Sequence, residues 1–311
     1  MKVIYLGTPK FAVKPLTEII NSRHEVVAVV TQLDKAGGRR GNKIVLSPVK
    51  VCAHNYGLKV LQFERIKDAS AVEELKKLDA DIMVTCAYGQ ILSQQILDMT
   101  KHGVINIHAS LLPKYRGASP VQHALIDGEE EIGVTIMQTA LEVDSGDIIL
   151  QDKITLKGDE NSQEALDKLA PLGARLVVKA LDLIEDGKAV FVKQDHEKAT
   201  YCGMLKKEDG KLDFSLDAVK IVNFIRGMNP WPGAFTHTQY GVLKVKKAEA
   251  VDCVCEGAQT GEVVESSSKA GLIVKCGMGC LKFLRVQGEN AKEMDIADYL
   301  RGKPIAKGAR L

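Results

Sequence analysis

The sequence predicts an α/β protein: a doubly wound, mostly parallel sheet followed by a small β domain. Three observations carry this. The first half of the chain alternates continuous apolar runs with helical stretches, which suits a sheet covered on both faces. At 311 residues, two domains are the natural division. Beyond the last long helical stretch the apolar runs become short and are separated by turn residues.

Composition narrows the class. Hydrophobic residues make up 45% and charged residues 26%, an ordinary balance for a soluble protein with a sizeable core. The formal net charge is only +2, so a polyanion would have to be met by a local patch. No apolar run approaches the roughly 18 residues that span a bilayer. The opening MKVIYLGTPKF reads as a first strand rather than a signal peptide. A cytoplasmic protein with no membrane partner is therefore expected. Seven scattered cysteines, an odd number, argue against a disulfide framework and fit a reducing compartment. The spacings Cys253-x-Cys255 and Cys276-x-x-x-Cys280 match zinc sites poorly and no histidine lies near them, so no metal is expected.

In chain order, Val3 to Leu6 is a buried-strand run that ends at Gly7-Thr8-Pro9. A helix follows from about Phe11 to Ser22, with Phe11, Leu16, Ile19 and Ile20 on one face. Glu25 to Thr31 and Asp81 to Cys86 are further apolar strands. Gly7-Thr8-Pro9 is not the glycine fingerprint of a dinucleotide site, which weakens a nicotinamide-dependent reading. Between these strands, Lys35 to Lys50 carries Lys35, Arg39, Arg40, Lys43 and Lys50. No acid occurs between Asp34 and Glu64. Three glycines make this segment a flexible loop. It is either a solvated surface loop or a phosphate-backbone contact.

The stretch from Gly103 to Asp147 is the most informative. Val104, Ile105 and Ile107 are β-branched and follow a glycine, so a short strand is expected. Period two then sets Asn106 and His108 on one face. Pro113 and Gly117 take the chain into a loop, and Ser119-Pro120 starts a helix. Gly133 to Thr139 is β-rich, and Asp144 sits in the loop after it. Ligands of open α/β sheets bind beyond the carboxyl ends of the strands, so the three polar groups are candidates for one cleft. Singly, each is unremarkable; a strand-end histidine is more often structural than catalytic. Their joint pattern is what distinguishes them.

The remainder reads as a strand from Ile148 to Leu156, a long helix from Asn161 to Glu185, and a polar stretch from Gln194 to Lys207. A short strand and helix follow from Lys211 to Phe224. Arg226 to Phe235 carries the only tryptophan in a Pro-Trp-Pro turn, whose plain reading is a hydrophobic plug between domains. Leu243 to Lys247, Gly261 to Val264, Gly271 to Lys275 and Leu281 to Val286 are short β runs suited to a small barrel.

The run Asn106-x-His108-x-Ser110-Leu-Leu-Pro-Lys-Tyr-Arg-Gly117 is followed by Ser119-Pro120, by Ala124 to Glu129 (ALIDGE), by Gly133 to Met137 (GVTIM) and by Asp144-Ser-Gly-Asp147. Together these resemble the formyltransferases that use 10-formyltetrahydrofolate. Within that family the likeness is nearest to the members that act on initiator methionyl-tRNA. The resemblance implies a Rossmann-like catalytic domain over residues 1–190, a linker over 191–207 and an OB-fold-like tRNA-binding domain over 208–311. It implies Asn106, His108 and Asp144 as the catalytic groups. Cys86 to Leu92 is similar to the turn whose backbone holds the pterin ring in that family, with Gln90 and Ser93 replacing a commoner apolar residue and proline. Tyr88, Gly89, Gln90, Ile91 and Leu92 are thereby implied as contacts of the 10-formyltetrahydrofolate co-substrate, and Ser110, Leu111, Leu112 and Pro113 as shaping its pocket. The basic segment resembles the family's insertion that engages the tRNA acceptor stem, which implies Lys35, Arg39, Arg40 and Lys43 as tRNA contacts. Asn229-Pro-Trp-Pro232 resembles the signature that opens the family's second domain.

The chemistry fits those residue types. Formyl transfer to an amine needs a donor for the developing oxyanion and a group that handles protons. An asparagine amide supplies the first. An imidazole oriented by a carboxylate supplies the second. No metal is required. A monomer is expected, because one tRNA would engage both domains. A sugar-nucleotide formyltransferase with the same donor is the alternative within the family, and the basic Lys35 to Lys50 segment speaks against it. An RNA-binding module with a degenerate enzyme domain is the alternative from another class, and the intact Asn106, His108 and Asp144 speak against that.

Overall fold

The computed structural model describes residues 1–37, 43–253, 255 and 257–311. Among them, strand and helix alternate as β1 (Lys2–Gly7), α1 (Val13–Ile20), β2 (Glu25–Thr31), β3 (Lys35–Gly37), β4 (Lys43–Val45), α2 (Pro48–Asn55), β5 (Val60–Gln62), α3 (Ala69–Lys76), β6 (Ile82–Cys86), α4 (Gln94–Leu97) and β7 (Val104–His108). There follow β8 (Arg116–Gly117), α5 (Pro120–Ile126), β9 (Glu131–Gln138), β10 (Ile148–Thr155), the long α6 (Ser162–Glu185) and β11 (Tyr201–Cys202). The chain divides into two compact units. One holds residues 1–117, 131–154 and 166–201; the other holds 118–130, 155–165 and 202–311.

The first unit is built on a seven-stranded sheet in the order β10-β9-β7-β6-β1-β2-β5. β1 pairs in parallel with β2 and β6, β2 with β5, and β6 with β7; β9 is antiparallel to β7. Val3, Ile4, Tyr5 and Leu6 are fully buried, as a central strand covered on both faces demands. The expected doubly wound, mostly parallel sheet is therefore present. Strand order reverses at β1, between β6 and β2. The turns after β1 and β6 thus open onto the crevice where such sheets bind ligands.

In the segment read as a flexible loop, the described residues on either side of 38–42 form two short strands. β3 and β4 pair antiparallel, Lys35 opposite Val45 and Gly37 opposite Lys43. Ser47 then caps α2, its Oγ accepting from Lys50 N at 3.1 Å. Lys50, counted from sequence among the basic cluster, is neutralised locally. Its Nζ donates to Asp34 Oδ2 and to Gln62 Oε1, both at 2.6 Å. Composition alone missed this because Asp34 closes the segment on its amino-terminal side.

The second unit contains α7 (Ala218–Met228), β12 (Phe235–Thr238), β13 (Gly241–Val251), β14 (Val263–Ser267), β15 (Gly271–Lys275), β16 (Cys280–Gly288), β17 (Met294–Asp295) and α8 (Ile296–Gly302). Its antiparallel sheet has the order β12-β13-β16-β15-β14, with β17 on β16. Register shifts near Lys247 bend the eleven-residue β13, as bulges do in strongly curled sheets. Its core joins Leu243, Val245, Val274, Phe283 and Val286 to Ile221 and Ile225 of α7. The small β domain expected from the turn spacing is thus a curled antiparallel sheet.

Trp231 is half exposed. The buried member of that motif is Asn229, whose Nδ2 donates to Ile225 O at 2.8 Å and Val245 O at 2.9 Å. One pair of cysteines also departs from expectation. Cys253 and Cys280 form a disulfide, because Val251 pairs with Cys280 and carries the end of β13 beside the start of β16. Among the described residues no helix is long and apolar enough to cross a membrane.

Candidate active site

β7 carries the first two groups. Asn106 and His108 lie two residues apart on it, and both reach the Asp144 carboxylate, as period two requires of one face. Asn106 Nδ2 donates to Asp144 Oδ1 at 3.4 Å. His108 Nδ1 stands 3.5 Å from Asp144 Oδ2. On its other side the imidazole Nε2 donates to Tyr115 O at 2.9 Å, since a carbonyl can only accept. His108 is buried and Asp144 nearly so, with 14% of its side chain exposed. The structure therefore brings the three polar groups of the Gly103 to Asp147 stretch together in the first unit.

Their route to one place differs from the simple strand-end picture. β9 is antiparallel to β7, with Gln138 opposite Ile105 and Thr135 opposite His108. The loop after β9 therefore starts beside the amino end of β7 and must run back to reach His108. Three contacts hold it there. Gly117 N donates to Asp144 Oδ2 at 2.8 Å. Gln194 Nε2 donates to Asp144 O at 2.9 Å and Gly146 O at 2.7 Å. Gly146 itself lies against Gln138 O so tightly that a Cβ there would collide with that carbonyl. Asp144 adopts φ 48° and Tyr115 φ 61°. Side chains rarely adopt this left-handed region, and it collects at functional sites.

Several positioning groups escaped the sequence reading. Thr85, on β6 beside Asn106 in register, donates its Oγ1 to Asn106 Oδ1 at 2.8 Å. This fixes the amide so that Nδ2, not Oδ1, faces the Asp144 carboxylate. Arg116 is fully buried. It donates to Gln194 Oε1 from Nε at 3.1 Å and Nη2 at 2.8 Å, and its guanidinium lies 5.8 Å from the Tyr201 ring centroid. The stretch read as a polar linker is thus ordered against the first unit up to Tyr201, and Gln194 is buried within it. Arg116 stands inside the quoted Lys-Tyr-Arg-Gly run, which was its only signal; Gln194 had none.

The Ser110–Pro113 turn is pinned from both ends. Ser110 Oγ donates to Lys114 O at 2.7 Å, Thr135 Oγ1 to Ser110 O at 2.7 Å, and Gln151 Nε2 to Leu112 O at 3.0 Å. Leu112 is buried, and the Leu112–Pro113 peptide is cis. Leu111 packs over Gly133. After β6, the five residues from Tyr88 to Leu92 divide by role. Tyr88 is buried in the core of the first unit, and burial pushes its phenol up to about 12. Its carbonyl accepts from Thr8 Oγ1 at 3.0 Å and Gln32 Nε2 at 3.1 Å. Gln90 is spent on structure: Oε1 accepts from Ile66 N at 2.8 Å and Nε2 donates to Phe63 O at 3.1 Å. Leu92 is buried, whereas Ile91 is 82% exposed. Ala87 at φ 48° and Gly89 at φ 95° turn the backbone sharply here. An apolar side chain beside turned backbone groups suits a flat, hydrogen-bonding heterocycle. Of the basic residues, Lys35 is exposed on β3 and Lys43 lies on β4, while Arg39 and Arg40 fall outside the described residues.

The first unit is thus an α/β fold whose mostly parallel sheet brings an amide, an imidazole and a carboxylate together. Residues 1–181 match the formyl transferase family and residues 204–304 match the formyl transferase C-terminal domain. Across 315 aligned residues the chain is 45% identical to the methionyl-tRNA formyltransferase of Lachnospira eligens, covering 100% of this chain and 99% of that protein. Among solved structures it is similar to an N-formyltransferase from Helicobacter canadensis in complex with folinic acid and dTDP-3-aminofucose. That likeness has a TM-score of 0.67 at 18% identity and covers 91% of this chain and 99% of the other. HypX from Aquifex aeolicus in complex with tetrahydrofolic acid gives a TM-score of 0.65 at 15% identity over 96% of this chain and 47% of that one. The chain belongs to the formyl transferase family, among its methionyl-tRNA formyltransferase members.

Proposed function

We propose that this protein transfers the formyl group of 10-formyltetrahydrofolate to the free amino group of methionine on initiator methionyl-tRNA. The observation that carries the reading is the Asp144 carboxylate joined at once to Asn106 Nδ2 and His108 Nδ1. Full-length kinship to a methionyl-tRNA formyltransferase supports the choice of substrate.

Each group has a role in this scheme. Asn106, its amide oriented by Thr85, presents Nδ2 to the formyl oxygen as negative charge develops there. His108 and Asp144 take the proton that the attacking amine sheds and return one to the departing folate nitrogen. The contacts of 3.4 and 3.5 Å are long for hydrogen bonds, and catalytic contacts often tighten only once substrate is bound. Tyr88 to Leu92 and Ser110 to Pro113 hold the donor, through backbone groups and through Ile91 and Leu111. Lys35, Arg39, Arg40 and Lys43 meet the phosphates of the tRNA by charge, and the unit containing residues 208–311 adds to that grip. Residues 1–190 form the catalytic domain in this reading. The protein works in the cytoplasm as a monomer.

The test is formyl transfer from 10-formyltetrahydrofolate to methionyl-initiator tRNA, comparing wild type with Asn106→Ala and with Arg39→Ala/Arg40→Ala. The first variant is expected to lose kcat by about 10²–10³. The second is expected to raise KM for tRNA with a shallower salt dependence, while kcat is retained. Folate turnover on an aminosugar nucleotide, with none on tRNA, would overturn the substrate and keep the chemistry.

A further inference from the structure

The second unit holds three sulfurs that the transfer reaction does not use. Cys253 and Cys255 follow β13, and Cys280 opens β16 opposite Val251. Cys253 and Cys280 form a disulfide, with Cα atoms 6.0 Å apart. Cys255 Sγ stands 3.0 Å from Cys253 Sγ and 3.9 Å from Cys280 Sγ. All three sulfurs lie within 4.8 Å of one another. Cys280 is buried, whereas Cys253 and Cys255 are half-buried, so the group opens to solvent on their side. Cys276 stays out of it and turns its Sγ toward Val274 O, 3.6 Å away.

We propose that, once the disulfide is reduced, Cys253, Cys255 and Cys280 form a three-thiolate site for a soft d10 metal ion of the zinc class. Three thiolates bound at roughly 2.3 Å to one tetrahedral ion stand about 3.8 Å apart. The Cys255–Cys280 separation of 3.9 Å already has that value. The ladder between β13 and β16 ends with Val251 opposite Cys280, two residues before Cys253, and so brings the Cys-x-Cys pair to the start of β16. Sequence spacing concealed the site, because the third ligand comes from the paired strand, 25 residues beyond Cys255. Among the described residues the group offers three ligands, and water or an exogenous donor would complete a tetrahedral shell.

The two states of the cluster exclude each other. A dithiol reductant supplies two electrons and two protons to the Cys253–Cys280 bond and leaves as its own disulfide. Binding a divalent ion then releases the three thiol protons to solvent. In the reverse direction a two-electron oxidant closes the disulfide and ejects the ion.

The experiment uses the full chain, reduced until all seven cysteines titrate as thiols, and loaded with Co²⁺. About one cobalt per chain should bind, with thiolate-to-cobalt charge-transfer absorption that Zn²⁺ displaces. The absorption should vanish in Cys255→Ser and in Cys255→Ala, persist in Cys276→Ser, and be absent after oxidation of the wild type with a disulfide reagent. Cys255 is half-buried, and the metal-free melting of both variants, compared with the reduced wild type, separates loss of a ligand from misfolding. No charge-transfer absorption in the fully reduced wild type would overturn the proposal. So would undiminished absorption in either Cys255 variant. Formylation activity is not the readout, so the outcome is independent of the function proposed above.

Discussion

Asp144 Oδ2 lies 3.5 Å from His108 Nδ1 and accepts the Gly117 backbone N–H at 2.8 Å. One oxygen thereby ties the loop after β9 to the strand that carries His108. Replacing Asp144 by asparagine keeps the shape and removes the charge. We expect Asp144→Asn to lower kcat by about 10²–10⁴ while KM for the folate donor changes little. Steady-state kinetics with each substrate varied in turn checks this.

Thr85 acts through Asn106 rather than on substrate. Thr85→Val keeps the volume and removes the donor to Asn106 Oδ1. The amide is then free to flip. A fall in kcat of about 10-fold is expected, and it should disappear in an Asn106→Ala background. Additive losses in that double-mutant cycle would show that Thr85 does not work through Asn106.

Gln194 joins buried Arg116 to the loop bearing Asp144. Gln194→Ala leaves the guanidinium short of an acceptor and two carbonyls short of a donor. Stability should fall by about 2–3 kcal/mol, read from urea unfolding. The kcat of the folded fraction should fall by about 10-fold or more as Asp144 drifts.

Gly146→Ala tests packing. The added Cβ would collide with Gln138 O, a backbone atom that cannot rotate away. A loss on the order of 3 kcal/mol is expected. Thermal unfolding reads it directly, and a variant that melts with the wild type would contradict the close approach.

The Asp34–Lys50 pair carries a pH signature. The Lys50 ammonium, with Gln62 beside it, holds the Asp34 carboxyl below its ordinary value of 3.8. Between those two values the unfolded chain binds the extra proton. The pair's stabilisation is therefore present above about 3.8 and is lost as pH falls through the folded value. Asp34→Asn should be less stable than wild type at neutral pH, and the deficit should shrink in acid. Urea midpoints measured at both ends check it.

Much of the fold was legible because its signals are local. Val3 to Leu6 and Val26 to Val30 are apolar runs that only a covered sheet can bury, and both are central strands. Asn106 and His108 were legible as a pair because strand period sets them on one face. Arg116 and Gln194 were not, because their meeting spans 78 residues and nothing in either neighbourhood marks it. Cys280 was hidden from Cys253 and Cys255 for the same reason.

By itself, then, the amino-acid order determined the strand and helix alternation, the family motifs and the residue types able to move protons. Each of these is written in neighbours within a few positions, where propensity and periodicity act. Only the tertiary structure decided how the loop after β9 turns back to bring Asp144 to β7, which groups hold it there, and that three cysteines share one corner. Such outcomes depend on strand register and on burial of polar partners far apart in the chain, and these are properties of the packed whole.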